Sequence, residues 1–195
     1  TEELVAVGDE ASSVYALDFD GDGDVDVLAT DHDDDEAALY ENQGGQSFPK
    51  HVITEGAEGA CSVVADDLDG DGSKEVLVAS DIDDAVRLFT PESQGVFTER
   101  VVTSSAGGAA IVRAADLDGD GLKDVLVAEA GDDAVMYYAW AGDAWATRVV
   151  SSDVSAAVSV AAADLDGDSD LDVVSAEQAL PGAVAWHENG GDCAA

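Results

Sequence analysis

The chain has 195 residues, of which 46% are hydrophobic and three are proline, ample material for a packed core and a poor composition for a disordered segment. Against 44 acidic residues stand 7 lysines and arginines, a formal net charge of -37 that makes nucleic acid and anionic membranes poor partners and calls for cations or salt to offset self-repulsion. No window of about 18 apolar residues exists for a membrane-inserted helix, and a start without Met or a signal-like segment fits a processed secreted protein or an excised fragment.

In chain order, TEELVAV at residues 1–7 reads as a lone strand whose match, TERVVT, occurs only at residues 98–103. Next comes the acidic loop DFDGDGDVD, starting at Asp18. It recurs as DLDGDGSKE from Asp67, DLDGDGLKD from Asp116 and DLDGDSDLD from Asp164, at spacings of 49, 49 and 48 residues. The similarity runs beyond the loops, since ITEGAEGACSVVADDLDGDG and VTSSAGGAAIVRAADLDGDG align without a gap. Each unit reads as four short strands: one before the loop, a VLVA-type run after it, an aromatic run and a closing run. In the second unit these fall near residues 62–66, 75–80, 85–90 and 97–103, bounded by Gly, Asp, Ser and Pro clusters.

Four strands in a unit of about 45 residues is the size of one propeller blade, and blades covered on both faces accommodate runs as apolar as VLVA. The expected fold is therefore all-β: a β-propeller with four four-stranded blades in a single domain, residues 1–195. The blades fall at about 8–54, 55–103, 104–151, and 152–195 plus 1–7. The last unit stops after AVAWHENGG with no fourth strand of its own, so the strand at 1–7 is expected to complete the last blade, of its own ring or of a neighbouring subunit.

Carboxylates at positions 1, 3, 5 and 9 of such a loop, with a backbone carbonyl at position 7, can wrap one hard cation in oxygen, and glycine at 4 and 6 permits the tight turn. An oxygen-only donor set suits calcium better than zinc or copper. The side-chain ligands would be Asp18, Asp20, Asp22 and Asp26; Asp67, Asp69, Asp71 and Glu75; Asp116, Asp118, Asp120 and Asp124; and Asp164, Asp166, Asp168 and Asp172. Carbonyls would come from Asp24, Ser73, Leu122 and Asp170, giving about four calcium ions, one per repeat. An EF-hand loop would end in glutamate at position 12, where these carry Ala29, Val78, Val127 and Ser175. Ser169 replaces the position-6 glycine of the other loops, which predicts the weakest site there.

These D-x-D-G-D-G-x-x-D loops, together with AWHEN at residues 185–189 and ALYEN at 38–42, resemble the FG-GAP and VCBS repeat family, including the calcium loops of integrin α-subunit propellers. The resemblance implies a propeller with calcium in the hairpin loops of one face, commonly in extracellular proteins used for adhesion, ligand binding or assembly. Its members usually have about seven blades, so four leaves ring closure open.

Comparison of the units predicts that Val14, Val63, Val112 and Val160 are core, while Tyr15, Val64, Arg113 and Ala161 vary and could face a central channel. Aromatics Tyr40, Phe89, Tyr138, Trp186 and His187 recur on the third strand as expected core. The run DHDDDE at 31–36 lies opposite the acidic hairpins as a solvated loop. His32, His51 and His187 occupy unrelated places and no hydrolase motif is present, so a propeller-based hydrolase or lyase is the least supported reading and no enzyme is expected. Cys61 and Cys193 offer one bridge or two free thiols; lying two units apart, they would need an intrachain bridge to span the molecule unless the tail crosses it, and a bridge between subunits is the alternative. The expected function is calcium-stabilised, extracellular, non-catalytic binding of a protein or glycan ligand. The alternative is a structural subunit that self-associates into a dimer or polymer by strand exchange.

Overall fold

The computed structural model describes residues 10–93, 95–142 and 144–190. Among them the regular secondary structure is all strand. The first blade is β1 (Ala11–Leu17), β2 (Asp26–Asp31), β3 (Glu36–Tyr40) and β4 (Lys50–Thr54). The second is β5 (Ala60–Asp66), β6 (Glu75–Ser80), β7 (Ala85–Ser93) and β8 (Val96–Thr103). The third is β9 (Ala109–Ala115), β10 (Asp124–Glu129), β11 (Ala134–Trp140) and β12 (Trp145–Ser151). The fourth has three described strands, β13 (Ala157–Ala163), β14 (Asp172–Glu177) and β15 (Val184–His187). Each sheet is an antiparallel meander in sequence order, and together they form a four-blade β-propeller arrangement. The strand expected at residues 1–7, and Cys193, lie outside the described residues.

Burial explains the composition of the strands. β6 (EVLVAS) and β10 (DVLVAE) are buried at every position, because both faces of the middle blades are covered by neighbours. Three apolar clusters fill the three junctions. Leu28 and Leu39 meet Val63, Val76 and Phe89 between the first and second blades. Leu77, Val86 and Leu88 meet Val112, Val125 and Tyr138 at the next junction, and Leu126, Val135 and Tyr137 meet Val160 and Val173 at the last.

Polar contacts lock the junctions as well. The turn between the second and third strands places Asp35, Asp84 and Asp133 at φ 55, 54 and 53. Their carboxylates accept the N–H of Gly59, Gly108 and Ala156 in the following blade at 2.9, 2.9 and 2.8 Å. Each inner strand carries an irregularity in register, at Ser12 and Cys61 in the first two blades. There the Ser12 hydroxyl donates to the Ala60 carbonyl (2.6 Å) and the Cys61 thiol to the Ala109 carbonyl (2.9 Å) of the next blade. Burial pushes that thiol up to about 12, so Cys61 is a neutral packing group.

Three sequence expectations need correction, the first being Trp186, expected as core but 53% exposed. Val63, Val112 and Val160 are buried against the preceding blade, but Val14 is 73% exposed, because no described residue covers that face of the first blade. Val64 is packed between the second and third blades and does not face a channel. Arg113 donates to the Val112 carbonyl and joins none of the ion pairs among the described residues.

Candidate metal centres

The acidic loops connect the first and second strands of each blade, and all four adopt the same internal hydrogen bonding. The position-1 carboxylate accepts two backbone N–H groups: Asp18 from Gly21 and Gly23, Asp67 from Gly70 and Gly72, Asp116 from Gly119 and Gly121, and Asp164 from Gly167 and Ser169. Asp20, Asp69, Asp118 and Asp166 at position 3 accept the N–H of position 5. Asp22, Asp71, Asp120 and Asp168 at position 5 accept the N–H of Asp24, Ser73, Leu122 and Asp170 at position 7. These bonds curl each loop so that its carboxylates converge. Oxygens of Asp18, Asp20 and Asp22 lie within 4.8 Å of one another, as do those of Asp67, Asp69 and Asp71, of Asp116, Asp118 and Asp124, and of Asp164, Asp166 and Asp168.

The curl requires left-handed backbone at position 6. Gly23, Gly72 and Gly121 sit at φ 96, 93 and 93, and Ser169 is held at φ 84 in the fourth loop. Ser169 thus takes the backbone conformation that glycine takes in the other three loops.

Position 9 differs from the others in burial. Asp26, Glu75, Asp124 and Asp172 are only 1%, 2%, 1% and 0% exposed, beneath rims that are largely open to water. Each accepts the N–H of position 2, from Phe19, Leu68, Leu117 and Leu165. In the first and last blades a second N–H, from Asn42 and Asn189, satisfies the other oxygen at 2.7 and 2.8 Å, and in the third the Trp140 backbone supplies it. The second blade has Pro91 at that place, which has no N–H to give. Glu75 Oε1 is accordingly buried without a protein donor. Burial pushes Glu75 up to about 7 and Asp124 up to about 6. An unpaired carboxylate oxygen behind three converging carboxylates, in a site with no nitrogen or sulfur donor, fits a hard divalent cation.

Other chemistry is sparse. Glu10, His32 and Asp33 also converge, with His32 bonded to Asp81 of the second blade at 3.1 Å, and that bond raises the histidine. His51 pairs with Glu41 at 3.1 Å. His187 Nε2 lies 2.9 Å from Ser175 Oγ, a nucleophile-and-base pairing in outline, with the serine buried in the strand. A groove of about 290 Å3 opens between the first two blades, lined by Phe19, Leu39, Glu41, His51, Pro91 and Phe97. Phe19 and Phe97 form a tilted pair there with centroids 6.2 Å apart.

The model of the FG-GAP-like repeat matches three overlapping stretches, residues 18–78, 67–127 and 116–175. The chain belongs to the FG-GAP-like repeat family. No curated protein matches it. Among solved structures, the V. cholerae biofilm matrix protein Bap1 superposes with a TM-score of 0.53 at 20% identity, covering 91% of this chain and 30% of Bap1. An Agrocybe aegerita lectin, described as recognising non-reducing terminal N-acetylglucosamine, superposes with a TM-score of 0.57 at 20% identity, covering 92% of this chain and 51% of the lectin. Both likenesses establish the blade fold. The chain thus spans between about a third and a half of these proteins' lengths.

Proposed function

We propose that this chain is a calcium-stabilised, extracellular, non-catalytic binding module, with about four calcium ions held by the four loops. The observation that carries the reading is the row of position-9 carboxylates, buried in all four blades, with Glu75 Oε1 lacking any protein donor. A buried carboxylate is costly unless compensated, and a cation ligated by positions 1, 3, 5 and 9 and the position-7 carbonyl compensates it. Nothing in the donor set calls for a redox metal.

The ligand is a glycan or a protein segment. The groove beside Phe19 and Phe97 offers aromatic faces with the Glu41 carboxylate nearby, the mixture that sugars use. A lectin and a biofilm matrix protein among the fold relatives support a binding role. The exposed faces of the first and last blades favour a second reading, a structural subunit of a calcium-dependent assembly.

Calorimetric titration of the chelator-treated chain with calcium tests the first reading, with about one ion per loop expected. At calcium near 100 times a site's dissociation constant, each site adds about 2.7 kcal/mol of stability. Unchanged melting across the titration would remove the reading. Glycan-array binding that weakens in Phe97→Ala would locate the ligand in the groove.

A further inference from the structure

We infer that the outer face of the fourth blade is a docking surface for the first blade of a second copy of this chain. The inference goes beyond the calcium reading and does not depend on it. It rests on the three junctions inside the chain, which are built from the same positions each time.

Strand register fixes the equivalence, because Leu28 pairs with Leu39, Leu77 with Leu88, Leu126 with Tyr137 and Val174 with Trp186. In the first three blades these second- and third-strand residues, with Ala37, Val86 and Val135, are buried against the blade that follows. In the fourth blade Trp186 is 53% exposed and Val184, the counterpart of Val86 and Val135, is 76% exposed. Leu165 is 50% exposed where Leu68 and Leu117 are buried. The complementary half of the junction is Val63, Val112 or Val160 on the inner strand of the following blade. In the first blade that residue is Val14, which stands in water.

Two polar contacts repeat the match. Val63 N–H donates to Ser13 Oγ (3.4 Å) and Val112 N–H to Ser62 Oγ (3.3 Å) across the first two junctions. On the fourth blade the same place is held by Ser159, which is exposed, and Val14 N–H is the matching donor. Asn189 donates to the Leu171 carbonyl of its own blade (3.1 Å) and across the last junction to the Leu117 carbonyl (2.8 Å). Asn42, its counterpart, makes the own-blade bond to Val25 (3.1 Å), and the Leu165 carbonyl of another copy is the partner its second bond would take. The aspartate contact does not repeat, because residues 179–182 (Ala-Leu-Pro-Gly) carry no carboxylate.

The occupant follows from these matches. The described residues carry both halves of a junction that they already form three times, on opposite ends, and among them nothing covers either half. Copies therefore join head to tail, a heterologous contact that closes if two arcs meet and extends if they do not.

Sedimentation velocity of the chain over a range of concentrations, in calcium and high salt to screen the charge, tests this. A species of two or more copies is expected. Val14→Asp and Val184→Asp, each placing an unpaired carboxylate in the contact, should each weaken association by about a hundredfold or more. Both residues are exposed in the single chain, so circular dichroism should be unchanged. If either variant loses its β-signal, Ala16→Arg and Ser159→Arg, at exposed positions on the same two faces, replace the pair. A single copy at every concentration overturns the inference. Association that withstands either substitution overturns it too, because a head-to-tail contact needs both faces.

Discussion

Glu75 and Asp124 carry the clearest electrostatic consequence of the fold, because each is a carboxylate withdrawn from water behind an acidic rim. Their folded-state values of about 7 and about 6 lie above the ordinary 4.5 and 3.8. A raised acid favours the folded state fully below its unfolded value and loses that advantage as pH climbs through the folded value. The chelated protein should therefore melt progressively lower between about pH 4 and 7, as thermal scans will show, whereas calcium affinity should rise over the upper part of that range as the ligands ionise. Glu75→Gln should lower the calcium stoichiometry by one site and leave the chelated protein at pH 8 as stable as before or more so, read by calorimetry and melting. A stoichiometry unchanged in that variant would remove Glu75 as a ligand. Ser169→Gly should relieve the left-handed serine by up to about 1 kcal/mol in urea denaturation. All these residues are legible in the sequence as repeat positions. The orphaned oxygen is not, because it depends on Pro91 lying across the hairpin from Glu75.

At the scale of elements, each blade is one meander whose boundaries match the alternation of apolar runs and Gly–Asp clusters. The second blade's strands differ from the sequence expectation only by extension, β5 starting at Ala60, β7 running on to Ser93 and β8 starting at Val96. What the pattern does not reveal is how blades are fastened. The repeated Asp35, Asp84 and Asp133 read as turn residues, yet each reaches the next blade with its carboxylate. Asp84→Gly keeps the backbone conformation accessible while deleting the bond to Gly108, so it should cost about 1 kcal/mol in chemical denaturation in the presence of calcium. A loss below experimental error would mean water replaces the carboxylate without cost. The signal for such a contact was the recurrence of aspartate at the repeat spacing in a turn that also contains other aspartates, which hid it.

For the whole molecule, a net charge of -37 in so small a chain sets a repulsive background that bound cations and salt must relieve. Added sodium chloride should raise the melting temperature of the chelated protein and have much less effect once calcium is bound, since screening and site occupancy relieve the same repulsion. Equal salt responses with and without calcium would count against ions in the loops. The sequence by itself determined the all-β class, the four-unit repeat, the family and the loop carboxylates, because these are written as spacing and alternation, which act locally. Only the tertiary structure decided which equivalent positions are buried. Val14 and Val63 read alike, as do Val184 and Val86, and they differ only in whether a neighbouring blade lies against them. Burial is a property of neighbours, and a repeat that specifies the same junction at every unit does not say which faces are covered.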